Sequence, residues 1–103
     1  MDNALFKSMV WQIVASIPKG KVATYGQIAK MAGFPNHARF VGRVLSGLPA
    51  ESTLPWHRVV NAKRQISFPY QSDAYNKQRH LLELDGVVFS NSNKIVKNYL
   101  LAL

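Results

Sequence analysis

The sequence of 103 residues contains no cysteine. This absence excludes a disulfide framework, a thiolate metal site and a thiol nucleophile, and it fits a reducing compartment. No apolar run approaches the roughly 20 residues that cross a bilayer, and the N-terminus lacks the basic-then-apolar pattern of a signal peptide. The sequence therefore predicts a soluble cytoplasmic protein with no membrane partner.

Acidic residues are also scarce, and they are unevenly placed. Lys and Arg outnumber Asp and Glu by 13 to 5, and no acid stands between Asp2 and Glu51. A basic surface without compensating acids favours a polyanion partner. Nucleic acid is favoured over a membrane surface, because no segment is both strongly basic on one face and apolar on the other. The basic residues between Asp2 and Glu51 are Lys7, Lys19, Lys21, Lys30, Arg39 and Arg43, and those between Glu51 and the next acid, Asp73, are Arg58, Lys63 and Arg64.

Length and an apolar fraction of 48% predict one compact domain over residues 1–103. Apolar residues at helical spacing predict a first helix over residues 5–17, with Asp2 or Asn3 as its N-cap. Thr24 and Gln27 fit a capping box, so a second helix is predicted to start at Tyr25 and to end at Gly33.

A third helix is predicted over residues 37–48, with Asn36 as its N-cap and with Arg39 and Arg43 on its outer face. Two short helices joined by a tight turn form a helix-turn-helix pattern. Many helix pairs in ordinary cores share this pattern, so taken alone it leaves DNA binding open. The basic interval around it favours the DNA-binding interpretation.

The second half of the chain is predicted to contribute short strands and one helix. Two pairs of short β-like runs predict strands, residues 59–62 with 65–66 and residues 87–89 with 95–96. Asp73 is predicted to cap a helix over residues 74–85, whose inward side chains are Tyr75, Leu81, Leu82 and Leu84. The predicted fold class is thus α+β: a small, mostly helical domain with a helix-turn-helix and short β-strands.

At the centre of the chain, a proline leads into an aromatic ring, an imidazole and a guanidinium, Trp56, His57 and Arg58. Catalysis by His57 needs a nucleophile within hydrogen-bond reach. The nearby residues Ser52 and Thr53 lie on a connector without oxyanion-hole glycines, so the sequence does not support a catalytic Ser-His pair. The three histidines lack metal-ligand spacing, so neither a metal nor a cofactor is predicted.

Four segments, in order, resemble the C-terminal domain of the O6-alkylguanine-DNA alkyltransferases. They are residues 17–29 (IPKGKVATYGQIA), residues 38–42 (ARFVG), residues 55–60 (PWHRVV), and Leu81-Leu82 before Asp85-Gly86. The active transferases have a Pro-Cys-His-Arg-Val core whose cysteine accepts the alkyl group. Trp56 stands at the cysteine position here, which resembles the alkyltransferase-like proteins and implies that the chain is not an enzyme.

The resemblance implies roles for individual residues. Tyr25 would crowd the phosphate beside the target nucleotide and help to rotate it out of the stack. Arg39 would fill the vacated space from the minor-groove side. Arg43, which shares the outer face of the predicted third helix, is predicted to bind DNA beside it. The lesion pocket and its lid would be formed by Trp56, His57, Arg58, the Val59 backbone, Tyr70 and Ser72.

The sequence also departs from the family pattern. Leu48 stands where the transferases have a relay asparagine, and Asp85 where they have a glutamate. His57 is therefore predicted to be a structural hydrogen-bonding residue rather than a general base. The lid, residues 68–72, is longer than usual and lacks the family's glycines.

The function that the resemblance implies is recognition of double-stranded DNA containing O6-alkylguanine, by base flipping and without repair chemistry. A monomer is expected, located on the nucleoid of a bacterium or in a eukaryotic nucleus, and handing the lesion over to nucleotide excision repair proteins. Two alternatives remain at this point, a helix-turn-helix transcriptional regulator of undamaged DNA and a residual alkylguanine-processing enzyme.

Overall fold

The computed structural model describes residues 3–102. In chain order, the elements of this part are α1 (Asn3–Ala15), β1 (Ala23–Thr24), α2 (Tyr25–Met31), α3 (Ala38–Ser46), β2 (Val59–Val60) and α4 (Asp73–Leu84). Short 3-10 turns occur at Trp56–Arg58 and Lys97–Tyr99. The predicted α+β class, with a mostly helical domain and short strands, is confirmed. The N-cap suggested at Asp2 lies outside the described residues.

The helix-turn-helix is built by local signals. Thr24 caps α2, since its hydroxyl accepts a hydrogen bond from the Gln27 amide at 3.0 Å while its own amide donates to the Gln27 side chain at 2.8 Å. Gly33 follows the end of α2 with φ of +88°, a conformation that glycine adopts without steric cost. The capping residue before α3 is His37, which makes no side-chain cap bond, so the predicted Asn36 cap is wrong.

Two apolar clusters lie on either side of a small parallel strand pair. The first cluster joins α1, α2 and α3, and the second lies beneath α4 and the C-terminal segment. Between them, β1 pairs with β2 in register, Ala23 opposite Val59 and Thr24 opposite Val60. Tyr25, which follows β1, and Trp56, which precedes β2, both line one cavity beside this strand pair.

The strand predictions for the second half of the chain were partly wrong. β2 pairs with β1 rather than with residues 65–66. Residues 61–65 form a tight turn, in which the Asn61 amide donates a hydrogen bond to the Gln65 carbonyl at 3.0 Å. The predicted terminal strand pair is reduced to a single bridge between Phe89 and Ile95. Strand pairing is non-local, so short apolar runs identify strand residues but not their partners.

Details of α4 also differ from the prediction. Its N-cap is Ser72, whose hydroxyl accepts from the Tyr75 amide, and Asp73 is its first residue. Leu84 is 63% exposed instead of packing inward. The buried residues Tyr75, Gln78 and Leu82 follow one face of the helix, and Leu84 lies about 200° around the axis from Leu82.

Candidate nucleic-acid interface

The outer face of α3 carries two exposed arginines one helical turn apart, Arg39 and Arg43. Within residues 3–102, the ion pairs involve His57, Arg58 and Arg79 with Asp85 or Glu83, so neither α3 arginine has an acidic partner there. The Arg43 guanidinium lies over the Phe40 ring, 5.2 Å from its centroid. Both guanidinium groups therefore remain available to an anionic partner.

A groove of about 330 Å³ runs beside α3, here called the α3 groove, and its lining residues are Tyr25, Ala38, Arg39, Gly42 and Ser67. Burial raises the pKa of the Tyr25 phenol, and a hydrogen bond with Ser67 offsets part of this effect. The phenol is therefore neutral at physiological pH and can donate a hydrogen bond to an anion.

A deeper cavity of about 120 Å³, here called the inner cavity, lies beyond Tyr25 and Gly42, and its other lining residues are Leu45, Ser46, Trp56, Phe68 and Gln78. An outer cavity of about 220 Å³ continues from it and shares Leu45, Ser46, Trp56 and Phe68 with it. The outer cavity also reaches Leu48 and Lys77. Neighbouring cavities share lining residues, so the three cavities adjoin one another between Arg39 and Trp56. Their walls offer aromatic surfaces on which a planar base can stack.

Behind Trp56, the chain is fixed by a charged cluster of His57, Arg58 and Asp85, here called the Asp85 cluster. His57 Nε2 lies 3.0 Å from Asp85 Oδ2, and Arg58 Nε donates to the same oxygen at 2.8 Å. An Arg58 terminal nitrogen donates to the Ile17 carbonyl at 2.9 Å, tying this turn to the segment after α1. Neither His57 nor Arg58 lines the cavities described above, so both support the pocket wall from behind.

The electrostatics of the Asp85 cluster agree with a structural role for His57. Burial lowers the pKa of His57, and the neighbouring Asp85 only partly counteracts this shift. Burial alone would raise the pKa of Asp85, but hydrogen bonds from Arg58 and His57 outweigh it and hold that pKa below its usual value. At neutral pH, a neutral His57 therefore donates its Nε2 hydrogen to an ionised Asp85.

Gln78 of α4 also holds the central turn. It is only 2% exposed, and its Nε2 donates to the carbonyls of His57 at 3.1 Å and Val59 at 3.0 Å. The Val59 side chain is buried in the core, and the contact of this residue with Gln78 is made by its backbone carbonyl. The sequence analysis missed Gln78, although a polar residue within the buried row Tyr75, Gln78 and Leu82 was a detectable signal.

The predicted lid residues occupy different environments. Phe68 lines both the inner and the outer cavity, whereas Tyr70 is 62% exposed and meets the Tyr75 ring edge-on at 5.2 Å. The Ser72 hydroxyl is engaged as the α4 cap. Neither Tyr70 nor Ser72 lines the cavities described above, and their contacts with a lesion stay predictions. Sequence reasoning also missed Ser67 as a cavity residue.

Over residues 3–102, no His, Asp or Glu side chains group in threes that could hold a metal ion. In the same part of the chain, none of the helices is long and apolar enough to cross a bilayer.

A helix-turn-helix with unpaired arginines on its second helix, bordered by adjoining cavities with aromatic walls, defines a DNA-binding domain with a side pocket. The family model described as "6-O-methylguanine DNA methyltransferase, DNA binding domain" matches residues 5–87. The chain belongs to this family.

Two relatives and one solved structure show the likeness in detail. The DNA base-flipping protein of Escherichia coli (strain K12) is 52% identical over 90 residues, which cover 87% of this chain and 68% of that protein. Alkyltransferase-like protein 1 of Schizosaccharomyces pombe is 43% identical over 82 residues, covering 80% of this chain and 76% of that protein. The crystal structure of S. pombe Atl1 in complex with damaged DNA containing O6-carboxymethylguanine matches with a TM-score of 0.87 at 34% identity, over 100% of both chains. The predicted family and fold are thereby confirmed.

Proposed function

We propose that this protein is a non-enzymatic sensor of O6-alkylguanine in double-stranded DNA. It binds the minor groove through α3 and rotates the lesion base from Arg39, past Tyr25, into the cavity beside Trp56. The adjoining cavities are the observation that carries the proposal, because they place an aromatic pocket next to an unpaired cationic surface. The names of the relatives, a base-flipping protein and an alkyltransferase-like protein solved with damaged DNA, support it.

In this proposal, residues that line the α3 groove and the inner cavity contribute to extruding the base. The neutral Tyr25 phenol crowds and contacts the phosphate next to the target nucleotide, and Arg39 occupies the space that the base leaves. Extrusion costs a few kcal/mol, and the cost is lowest where base pairing is already weakened. Alkylation of O6 weakens pairing with cytosine, so it favours the damaged base over an intact guanine.

The absence of alkyl transfer follows from the chemistry of the pocket. The sequence has no cysteine, and the residue at the family's acceptor position is Trp56. His57 is held by Asp85 behind the wall, and the Ser46 hydroxyl in the inner cavity donates to the Arg43 carbonyl at 2.9 Å. The pocket thus offers surfaces for binding but no activated nucleophile.

A sensor that leaves the lesion intact needs a repair pathway to follow it. We propose hand-over to nucleotide excision repair proteins, as the family resemblance implies. The predicted monomer stays part of this proposal. A reconstituted excision reaction tests the hand-over: the protein should raise the rate of incision beside O6-methylguanine and leave incision of an intact duplex unchanged. An unchanged rate at the lesion would contradict it.

The primary test is a binding titration at fixed salt with a short duplex containing O6-methylguanine and its unmodified twin. The wild-type protein should bind the lesion more tightly, and the masses of both DNA and protein should stay unchanged. Arg39→Ala should weaken lesion binding by about tenfold and binding to intact DNA by less. Arg39→Lys is the matched control, since it keeps the charge for a phosphate but loses the planar guanidinium.

Each outcome of this titration separates the proposal from its rivals. Arg39→Lys should retain binding to intact DNA and lose much of the lesion preference. Equal losses of Arg39→Ala on both duplexes would make Arg39 a phosphate contact only. Equal wild-type affinity for the two duplexes would favour a transcriptional regulator. Loss of the methyl group from the DNA would indicate an enzyme.

A further inference from the structure

The side-chain amide of Gln78 is both buried and oriented by its neighbours. Its Nε2 lies within hydrogen-bond distance of two carbonyl oxygens, those of His57 and Val59. Carbonyls only accept hydrogen bonds, so these contacts require the nitrogen on that side of the amide and the oxygen on the other. Gln78 is thereby fixed in a single orientation, despite being a flexible residue type.

Among residues 3–102, the oxygen of the same amide, Oε1, has no hydrogen-bond partner. Oε1 is also not completely inaccessible to solvent, because the one inaccessible side-chain nitrogen or oxygen without a partner in this range is His37 Nδ1. Gln78 lines the inner cavity together with Trp56 and Phe68. The side chain therefore offers a fixed hydrogen-bond acceptor, Oε1, to whatever enters between these rings. A buried acceptor that stays unpaired in a complex is costly, so the occupant must supply a donor.

The chemistry of the lesion limits which donor this is. In guanine, N1 carries a proton, but alkylation of O6 removes it and leaves N1 as an acceptor. The exocyclic 2-amino group is then the sole conventional hydrogen-bond donor of the base. An acceptor in the inner cavity can therefore be satisfied by O6-alkylguanine through that group alone.

We propose that Gln78 is a specificity-determining residue that accepts a hydrogen bond from the 2-amino group of the flipped O6-alkylguanine through Oε1. This inference rests on the proposed function, since it requires the lesion base to enter the inner cavity. The Val59 backbone, which the sequence resemblance implied as a reader of the base, already accepts a hydrogen bond from Gln78 at its carbonyl. The amide thus extends the acceptor function from the backbone of β2 into the cavity.

The test compares two probes, duplexes with O6-methylguanine or with O6-methylhypoxanthine, which lacks only the 2-amino group. The wild-type protein should bind the first about tenfold more tightly, because the second leaves Oε1 unpaired. Gln78→Met, which has no donor and only a weak acceptor, should bring the ratio between the probes close to one. Gln78→Lys keeps a donor for the two backbone carbonyls but no acceptor, so it should do the same with the turn intact.

Comparing ratios between variants removes effects that belong to the DNA alone, such as the altered pairing of O6-methylhypoxanthine with cytosine. Gln12→Met, the same substitution at an exposed position of α1, is the control and should keep the wild-type ratio. If Gln78→Met does not fold, Gln78→Lys and the wild-type ratio still decide the question.

The outcomes distinguish this inference from the proposed function. A wild-type protein that prefers O6-methylguanine to guanine, but whose ratio between the two methylated probes is the same as in both Gln78 variants, would overturn the role of Gln78 alone. Equal wild-type binding to O6-methylguanine and guanine would instead contradict the proposed function itself.

Discussion

Arginines occupy two contrasting regions of this molecule. In the Asp85 cluster, Arg58 is largely buried and bonded to a carboxylate and to the Ile17 carbonyl. On α3, Arg39 and Arg43 are exposed and lack an acidic partner within residues 3–102. The same side chain is thus satisfied inside the fold in one region and left unpaired in the other. The difference indicates that Arg58 stabilises the fold. The α3 arginines are instead available to bind an anionic partner, which residues 3–102 do not supply.

The largest expected effect tests the stability side of this comparison. Arg58→Ala removes the main cation beside Asp85, whose side chain is only 9% exposed, and leaves its carboxylate with His57 alone. Breaking a buried pair from one side costs about 3 kcal/mol, so the free energy of unfolding should fall by about that amount. Denaturant unfolding followed by circular dichroism measures the change.

Arg39→Ala is the matched control, because it deletes the same side chain from an exposed position. Its free energy of unfolding should stay within about 0.5 kcal/mol of the wild-type value. If Arg58→Ala were equally harmless, or if Arg39→Ala were the more destabilised variant, the contrast between the two regions would be refuted.

An intermediate effect is expected for Arg43, which sharpens the comparison within α3. Arg43 lies over Phe40 and does not line the α3 groove or the inner cavity, so we expect it to contact the DNA backbone rather than the base. Arg43→Ala should weaken binding to damaged and intact duplexes by the same factor, about fivefold. The slope of log affinity against log salt should also become shallower by about one.

Titrations of both duplexes at several salt concentrations measure these quantities. Arg39→Ala again provides the comparison, since its loss should be greater on the lesion. A selective loss of lesion binding by Arg43→Ala would place Arg43 with the base-flipping residues instead.

The distance in sequence between interacting residues explains which parts of the molecule could be predicted from the sequence. The helix-turn-helix was predicted because its signals are local, namely the Thr24 capping box and Gly33 at the end of α2. The parallel pairing of β1 with β2 was missed, because it joins segments that are far apart in sequence and carries no local signature.

The site was predictable to a similar extent. The family segments identified Tyr25, Arg39 and Trp56, which line the adjoining cavities. They could not show that Arg58 is engaged by Asp85, because that pairing depends on how α4 packs against the central turn. Gln78 was missed for the same reason, since its hydrogen bonds reach backbone carbonyls 19 and 21 residues earlier.

The smallest expected effect concerns pH, and it separates the contribution of His57 to stability from that of Asp85. The pKa of His57 is lowered in the folded protein, so the unfolded chain binds a proton at this residue more readily. Stability from His57 is therefore fully present above the unfolded pKa of about 6.5 and is lost as the pH falls below it. The pKa of Asp85 is also lowered, so its contribution persists until the pH falls below about 4, the usual carboxyl range.

Melting temperatures across this pH range, for the wild-type protein and His57→Gln, measure the His57 contribution. The glutamine side chain of this variant can still donate a hydrogen bond to Asp85 but cannot titrate, so the difference between the two curves isolates His57 from the other histidines. The wild-type protein should lose stability relative to His57→Gln as the pH falls from about 7 towards about 5. A wild-type protein that gained relative stability over that interval would mean that His57 is protonated in the cluster, which would then hold two cations against one carboxylate.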